Sequence, residues 1–156
     1  MFHVILYEPE IPPNTGNIIR LCANSGATLH LIEPLGFGLD DSRLRRAGLD
    51  YREWASMQVH AGLEACLEQL ALSRVYAFST KARRAYASAS FAAGDGLLFG
   101  PESRGLPDDV RSRFGDERLL TVPMVTGSRS LNLSNTVALV LFEAWRQCGF
   151  AGAAGG

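Results

Sequence analysis

The chain has 156 residues, 47% of them hydrophobic, and a formal net charge of −1. This length and apolar content suit one globular domain with a substantial core. The charge excludes a protein that binds nucleic acid through overall basicity, so such binding would need local basic clusters. Lys81 is the only lysine among 15 basic residues. The excess of arginine fits phosphate recognition, and it equally fits a bias in codon usage.

The three cysteines, Cys22, Cys66 and Cys148, lie far apart in the chain. Their spacing matches neither a metal-ligand motif nor a disulfide framework. The N-terminal residues MFHVILYEPE lack the basic region of a signal peptide. No apolar run approaches the roughly 20 residues that a membrane span requires. We therefore expect a reduced cytoplasmic protein without a membrane segment.

The first predicted strand and helix have clear boundaries in the sequence. An apolar strand spans Phe2–Tyr7, and the prolines that follow it cannot continue a strand. A helix is predicted next, with Asn14 or Thr15 as its N-cap. It runs to about Ser25 and ends at Gly26.

Further strands and helices alternate along the rest of the chain. The strands are predicted at Thr28–Glu33, Arg74–Thr80, Gly96–Gly100 and Leu119–Val122. The helices are predicted as a short basic helix beginning between Asp40 and Ser42, His60–Leu72, a turn at Asp108–Arg113, and a closing helix from about Asn132 to Cys148. This alternation predicts one α/β domain, residues 1–150, with a mainly parallel sheet. The Ala/Gly tail, residues 151–156, is expected to be disordered.

Three polar loops follow predicted strands: Glu8–Arg20, Gly100–Pro107 and Pro123–Asn135. Ligands of open α/β sheets bind beyond the carboxyl ends of the strands, so these loops can converge on one site. None of them contains a GxGxxG or GxxxxGK[ST] nucleotide motif. The third loop enters a helix whose middle, Val137–Phe142, is apolar throughout and is expected to be buried on nearly all sides. This pattern predicts a small-molecule site beside an oligomer interface.

The three loops also carry a resemblance to a known family. The segments NTGNIIR, FGPESRGLP and VPMVTGSRSLNLSNTVALVLFEAWRQ resemble the three motifs of the SPOUT methyltransferases. More closely, YEPEIPPNTGNIIRLCANSG and DSRLRRAGLDY are similar to the small TrmL/YibK group, the tRNA wobble-nucleotide 2′-O-methyltransferases. The resemblance covers about residues 1 to 150, and its motifs are long and ordered.

The resemblance implies a single-domain SPOUT fold with a C-terminal trefoil knot, which ordinary topology rules would not suggest. It also implies an S-adenosylmethionine donor and a homodimer formed through the last helix. The cofactor-binding residues that it implies are Phe78, Gly100, Glu102, Gly105, Val122, Met124, Ser130 and Leu131. Apolar side chains in this set suit the walls of a purine site, and the glycines allow close approach of the backbone.

Arg20 is the catalytic residue that the resemblance implies, in contact with the target 2′-hydroxyl or its phosphate. Methyl transfer from a sulfonium is an in-line displacement that needs no metal and no covalent enzyme intermediate. Alignment of the two reactants can contribute roughly 7–11 kcal/mol. Because arginine is a poor general base, we expect Arg20 to clamp phosphate and orient the hydroxyl; deprotonation by Arg20 is the alternative.

The RNA contacts are expected at Arg43, Arg45 and Arg46 of the short basic helix and at Arg129 of the third loop. Phosphate contacts make binding sensitive to salt, and an anticodon loop offers unstacked bases that proteins read. The resemblance implies the anticodon loop of tRNA as the partner.

Several residues have a structural interpretation beside the functional one. Glu102 could cap the turn at Asp108 or pair with Arg104 rather than act in the site. The histidines, His3, His30 and His60, are expected to pack and cap. No GxSxG motif is present, which argues against a serine hydrolase.

Three functions thus stand beside one another. The first is transfer of a methyl group from S-adenosylmethionine to the ribose of the tRNA wobble nucleotide, cytidine or uridine. The second is methylation of another tRNA or ribosomal RNA site by a relative of the same family. The third is a non-catalytic RNA-binding dimer that keeps a vestigial cofactor pocket.

Overall fold

Seven short strands form one parallel sheet in the computed structural model, which describes residues 1–155. The strands are His3–Tyr7 (β1), Thr28–Ile32 (β2), Met57–His60 (β3), Val75–Phe78 (β4), Arg84–Ala85 (β5), Gly96–Phe99 (β6) and Leu119–Thr121 (β7). Their order across the sheet is β3-β2-β1-β6-β4-β7-β5, and each neighbouring pair runs parallel. The first three strands of the chain therefore form one half of the sheet, and β6 lies at its middle, between β1 and β4.

Helices connect and cover these strands. They are Pro12–Ser25 (α1), Ser42–Arg45 (α2), Tyr51–Ala55 (α3), Leu63–Leu70 (α4), Asp108–Arg111 (α5) and Leu133–Gln147 (α6), with a 3₁₀ turn at Tyr86–Ser88. The predicted α/β class with a parallel sheet is confirmed. Parallel strands need covering on both faces, and apolar runs in the sequence reflect this double burial.

The central strands place alternate side chains on opposite faces of the sheet. On one face, Val4 and Leu6 of β1 lie in a cluster of buried residues with α1 and α6. On the other face, Ile5 of β1 and Leu98 of β6 join a smaller cluster with Cys66 of α4. The three-layer arrangement leaves the carboxyl ends of the strands free of helices, and the polar loops emerge there.

Helix α1 begins earlier than the sequence predicted. Pro12 is its first residue and Ile11 is its N-cap, without a side-chain cap hydrogen bond. Proline suits the first turn because its fixed φ is helical and its missing N–H has no partner there. Asn14, predicted as a cap, lies instead inside the first turn and is buried. Its side chain is therefore available for tertiary contacts.

His60 belongs to a strand rather than to the helix predicted at His60–Leu72. It is the last residue of β3, which pairs with β2 through contacts such as Ile32 with His60. Helix α4 starts three residues later, after Gly62 in an extended N-cap conformation. A four-residue strand of mixed polarity has too little pattern to be recognised before its partner strand is known.

Helix α6 has one apolar face that is exposed in the single chain, so the burial on nearly all sides expected of residues 137–142 is only partly provided by this chain's own core. Val137, Val140 and Leu141 are fully buried, whereas Leu139 and Phe142 are 44% and 40% exposed. The two exposed residues are three positions apart and share one side of the helix. One chain alone has no layer to cover this side.

The disorder expected of the Ala/Gly tail, residues 151–156, stays a prediction. In its described part, residues 151–152 and 154–155 lie in turns, and Trp145 Nε1 donates to the carbonyl oxygen of Ala151 at 3.0 Å. Phe150 packs edge-on against the same indole ring. An aromatic contact of this kind can hold a segment made only of small residues.

Across residues 1–155, no helix is both long and apolar enough to cross a membrane.

Candidate active site

A cavity of about 430 Å³ opens at the carboxyl ends of three neighbouring strands, β6, β4 and β7. Phe78 ends β4, Gly100 follows β6, and Val122 follows β7. The cavity volume lies within the range of small-molecule sites. The structure brings together in its lining every residue predicted to bind the cofactor: Phe78, Gly100, Glu102, Gly105, Val122, Met124, Ser130 and Leu131.

The apolar wall of the cavity is built on two stacked rings. Phe78 and Phe99 lie with ring centroids 4.7 Å apart and an interplanar angle of 11°. Both rings are buried, because they end adjacent strands in the same register. Met124 and Leu131 add partly exposed apolar surface from the loop after β7. A flat, aromatic-backed slot of this kind fits a purine ring.

Gly100 is required by the close approach of two backbone segments. A Cβ atom at this position would lie 2.3 Å from the backbone nitrogen of Leu106 and 2.5 Å from the carbonyl carbon of Gly105. Gly105 has a φ of 65°, in the left-handed region that favours glycine. The second loop therefore folds back tightly on its own start and presents its backbone to the cavity.

Glu102 forms contacts that neither sequence-based alternative anticipated. The backbone N–H groups of Glu10 and Ile11 donate to its carboxylate at 2.7 and 3.1 Å. Since α1 has no side-chain cap of its own, Glu102 supplies acceptors at the start of that helix, where a negative charge is also favoured. Glu102 thus lines the cavity and connects the second loop to the residues just before α1. It does not cap the turn at Asp108, and it does not pair with Arg104.

Two asparagines continue this network into the third loop, and neither was predicted as a site residue. Asn14 Nδ2 donates to Glu102 Oε1 at 3.5 Å, and Asn132 Nδ2 donates to Asn14 Oδ1 at 2.9 Å. Asn132 Oδ1 also accepts from the backbone N–H groups of Ser134 and Asn135, as the N-cap of α6. Both asparagines line the cavity. Their positions in the first and third polar loops were the only signal available.

A second set of contacts joins the first and second loops on the exposed side. The carboxylate of Glu10 accepts hydrogen bonds from the backbone N–H and the hydroxyl of Ser103, each at 2.8 Å. These bonds stabilise the ionised form and lower the pKa of Glu10. Arg104 forms an ion pair with Glu8. The loops are held together by several charge-assisted bonds rather than by apolar burial.

Arg20 lies on α1 but does not line the cavity. Its Nε donates to Glu53 Oε1 at 3.1 Å and its Nη2 donates to the carbonyl oxygen of Gly48 at 2.7 Å. Nη1 has no hydrogen-bond partner among residues 1–155, and the side chain is 46% exposed. Arg20 is six residues after Asn14 on the same helix, which corresponds to about 9 Å along the axis. The guanidinium is thus held by Glu53 and Gly48 and remains partly open to solvent.

The arginines predicted to contact RNA lie outside the cavity. Arg43 and Arg45 are in α2, and Arg46 is its C-cap. Arg43 pairs with Asp41 at 3.0 Å, which leaves its charge partly neutralised. Arg45 lines a second hollow together with Trp54 and other apolar residues. Arg129 is exposed in the third loop.

The chain belongs to the SpoU rRNA Methylase family, whose model matches residues 1–142. A tRNA (cytidine(34)-2'-O)-methyltransferase of Burkholderia ambifaria is 58% identical over 156 residues, covering 99% of this chain and 100% of that protein. A protein structure solved to study the 2-OH methylation of C/U34 on tRNA is 47% identical, with a TM-score of 0.86 over 96% of this chain and 97% of that one.

A third comparison includes the cofactor. An AdoMet-bound rRNA methyltransferase from Sinorhizobium meliloti is 26% identical, with a TM-score of 0.79 over 93% of this chain and 56% of that chain. The family resemblance read from the three loops is thereby confirmed, together with the methyltransferase class and its use of S-adenosylmethionine.

Gly100→Ala is expected to weaken binding of S-adenosylmethionine about 5- to 150-fold, because overpacking at this position costs about 1–3 kcal/mol. The added Cβ would press on backbone atoms, which cannot rotate away. Isothermal titration calorimetry on both proteins measures the effect. Gly115→Ala is the matched control, since a Cβ there meets no atom within 4 Å. Equal affinity in Gly100→Ala and the wild type would contradict the proposed close approach.

Proposed function

We propose that this protein transfers a methyl group from S-adenosylmethionine to the ribose 2′-hydroxyl of the wobble nucleotide of tRNA, cytidine or uridine 34. The observation that carries the proposal is the convergence of all three motif loops on one cavity. Relatives that are more than 50% identical to this chain over nearly its full length support the same reaction at the same nucleotide position. The protein is proposed to act in the cytoplasm, and its three cysteines are free thiols.

S-Adenosylmethionine, when bound, supplies a methyl group on a positively charged sulfur, so attack by an oxygen needs no further activation of the donor. Phe78, Val122 and Leu131 provide apolar surface for the adenine ring. Gly100 and Gly105 line the cavity, and without side chains their backbone would be accessible to the bound donor. These residues hold and orient the donor, and alignment is the main contribution that a displacement reaction requires.

Arg20 is proposed to orient the target nucleotide. Its bonds to Glu53 and Gly48 fix the guanidinium plane, while Nη1 and half of the side chain stay accessible. A planar, permanently charged group of this kind binds a phosphate and a neighbouring hydroxyl at once. The Glu53 carboxylate and the Gly48 carbonyl oxygen hold the guanidinium in place. Because arginine is a poor general base, Arg20 is proposed to position the 2′-hydroxyl rather than to remove its proton.

Arg43, Arg45, Arg46 and Arg129 are proposed to contact the tRNA backbone. They are exposed on two segments, α2 and the third loop, and phosphate contacts from such side chains add affinity without sequence readout. The hollow lined by Arg45 and Trp54 provides an apolar surface next to this cluster. The net charge of −1 makes a local basic surface necessary for binding a polyanion.

A homodimer through α6 is also proposed. The exposed Leu139 and Phe142 form a continuous apolar surface with Trp145, whose ring lies 5.5 Å from that of Phe142. Exposed apolar surface of this kind on a helix is typical of an interface between subunits. The C-terminal trefoil knot stays a prediction of the family resemblance.

Purified protein is expected to label tRNA that lacks wobble ribose methylation when methyl-labelled S-adenosylmethionine is supplied. Nuclease digestion and mass spectrometry should locate the label as a 2′-O-methyl group at position 34. Label at another nucleotide would contradict the substrate while keeping the enzyme class. Cofactor and RNA binding without any label would favour the non-catalytic dimer.

Arg20→Lys is expected to lower the turnover number by about 10²–10³-fold, as loss of a preorganised donor does, while the Kd for S-adenosylmethionine stays close to that of the wild type. A lysine keeps the charge but cannot bind Glu53, Gly48 and a phosphate in one plane. Single-turnover kinetics and calorimetry separate the two effects. Arg113→Lys serves as the control, because Arg113 pairs with Glu64 and does not line the cavity. Unchanged turnover in Arg20→Lys would rule out its role.

The double variant Leu139→Glu/Phe142→Glu is expected to be monomeric, because two carboxylates would lose their hydration at the interface. Sedimentation velocity gives the mass of the species. Val59→Glu is the control, since Val59 is 38% exposed on the edge strand β3 and away from α6. A dimeric double variant, or a wild type that is monomeric at the same concentration, would exclude this interface.

A further inference from the structure

The three histidines of the chain form a row across the edge of the sheet. His3, His30 and His60 lie on β1, β2 and β3, which are neighbours. His3 Nδ1 is 3.1 Å from His30 Nε2, and His30 Nδ1 is 3.0 Å from His60 Nε2. The ring centroids are 5.3 and 5.2 Å apart. Each imidazole therefore points a ring nitrogen at the next one.

A cysteine lies close to two of these histidines, His30 and His60. Cys66 lies on α4, the helix that follows β3 and packs on the same face of the sheet as Ile5 and Ile32. The ligand atoms of His30, His60 and Cys66 all lie within 4.8 Å of one another. All three residues are buried, with His30 and Cys66 fully inaccessible to solvent.

Register and connectivity explain why these residues meet. His30 pairs with Gln58 and Ile32 pairs with His60, so His30 and His60 are two positions apart and point to the same face. The short connection from β3 to α4 then brings the middle of α4 back over this face. The three residues thus come from β2, the edge strand β3 and the helix α4.

We propose that His30, His60 and Cys66 bind one zinc ion. Imidazole nitrogen and thiolate sulfur are preferred zinc ligands, with bond lengths near 2.0–2.1 and 2.3 Å. Those lengths place ligand atoms about 3.4–3.8 Å apart in a tetrahedron. The observed spacing of 3.0 Å between the two histidine nitrogens requires an opening of only a few tenths of an ångström. Cys66 binds as the thiolate, its proton passing to solvent, and water fills the fourth position.

His3 supplies the outer contact that metal-bound histidines make. When Nδ1 of His30 binds the ion, Nε2 carries the proton and donates to His3 Nδ1 at the observed 3.1 Å. His3 is only partly buried, so it also connects the site to the surface.

The proposed ion would join β2, β3 and α4. None of its ligands lines the cavity of the active site, so the proposal does not depend on the methyl transfer reaction. Strand β3 is an edge strand with one paired side. An ion that ties this strand to the helix after it would oppose fraying of this edge.

Cobalt(II) is the probe for this site, because zinc itself gives no absorption. Full-length wild-type protein, stripped with a chelator, is expected to bind one equivalent of cobalt with a thiolate-to-metal charge-transfer band and visible bands typical of four ligands. Cys66→Ala should lose the charge-transfer band. Cys22→Ala and Cys148→Ala are matched controls that should keep it, since Cys22 is equally buried and neither is part of the cluster.

Thermal unfolding with and without zinc gives a second readout. The ion should raise the Tm of the wild type and of Cys22→Ala but not that of Cys66→Ala. His60→Gln replaces Cys66→Ala if the latter does not fold, with loss of cobalt binding expected. Folded wild type without a thiolate band at saturating cobalt would overturn the proposal, and so would a band that persists in Cys66→Ala.

Discussion

The carboxylate of Glu102 holds together the two loops on which the site depends. It accepts the backbone N–H groups at the start of α1, a helix that has no cap of its own, and it sits in the second loop beside the cavity. Hydrogen bonds to a charged group contribute about 1.5–3 kcal/mol each. Asn14 and Asn132 extend the same network to the N-cap of α6. The second and third loops beside the cavity and the helix that carries Arg20 are thus connected by one network of polar contacts, which is partly buried.

The parallel sheet explains why a network of this kind can form. Every strand ends at the same edge, and β6 returns between β1 and β4, so loops that are far apart in sequence meet over three adjacent strands. Rigid strands set the positions of Phe78 and Phe99, and loops supply the polar groups. The histidine row lies on the strands β1, β2 and β3, and Cys66 lies on α4. None of these residues lines the cavity.

Sequence patterns located most elements but misplaced those whose limits depend on partners. Helix α6 was predicted within a residue of its observed ends, because Asn132 is a strong N-cap and the apolar run is long. The start of α1 was predicted too late, because the segment just before it is held by a distant residue: Glu102, about 90 residues away, accepts from the backbone N–H groups of Glu10 and Ile11. Strand β3 was missed, since its pairing with β2 rather than its composition makes it a strand. The candidate cofactor residues were assigned through family resemblance and are found around one cavity.

What the sequence determined by itself was the class of fold, the three polar loops and the family, because hydrophobic periodicity and long motifs are local properties. The tertiary structure alone decided which residues become neighbours. It assigned Glu102 to the start of α1, placed Arg20 between Glu53 and Gly48, left one side of α6 uncovered, and brought His30, His60 and Cys66 together. The physical reason is that pairing, register and helix packing bring together residues whose separation along the chain carries no signal of their contact.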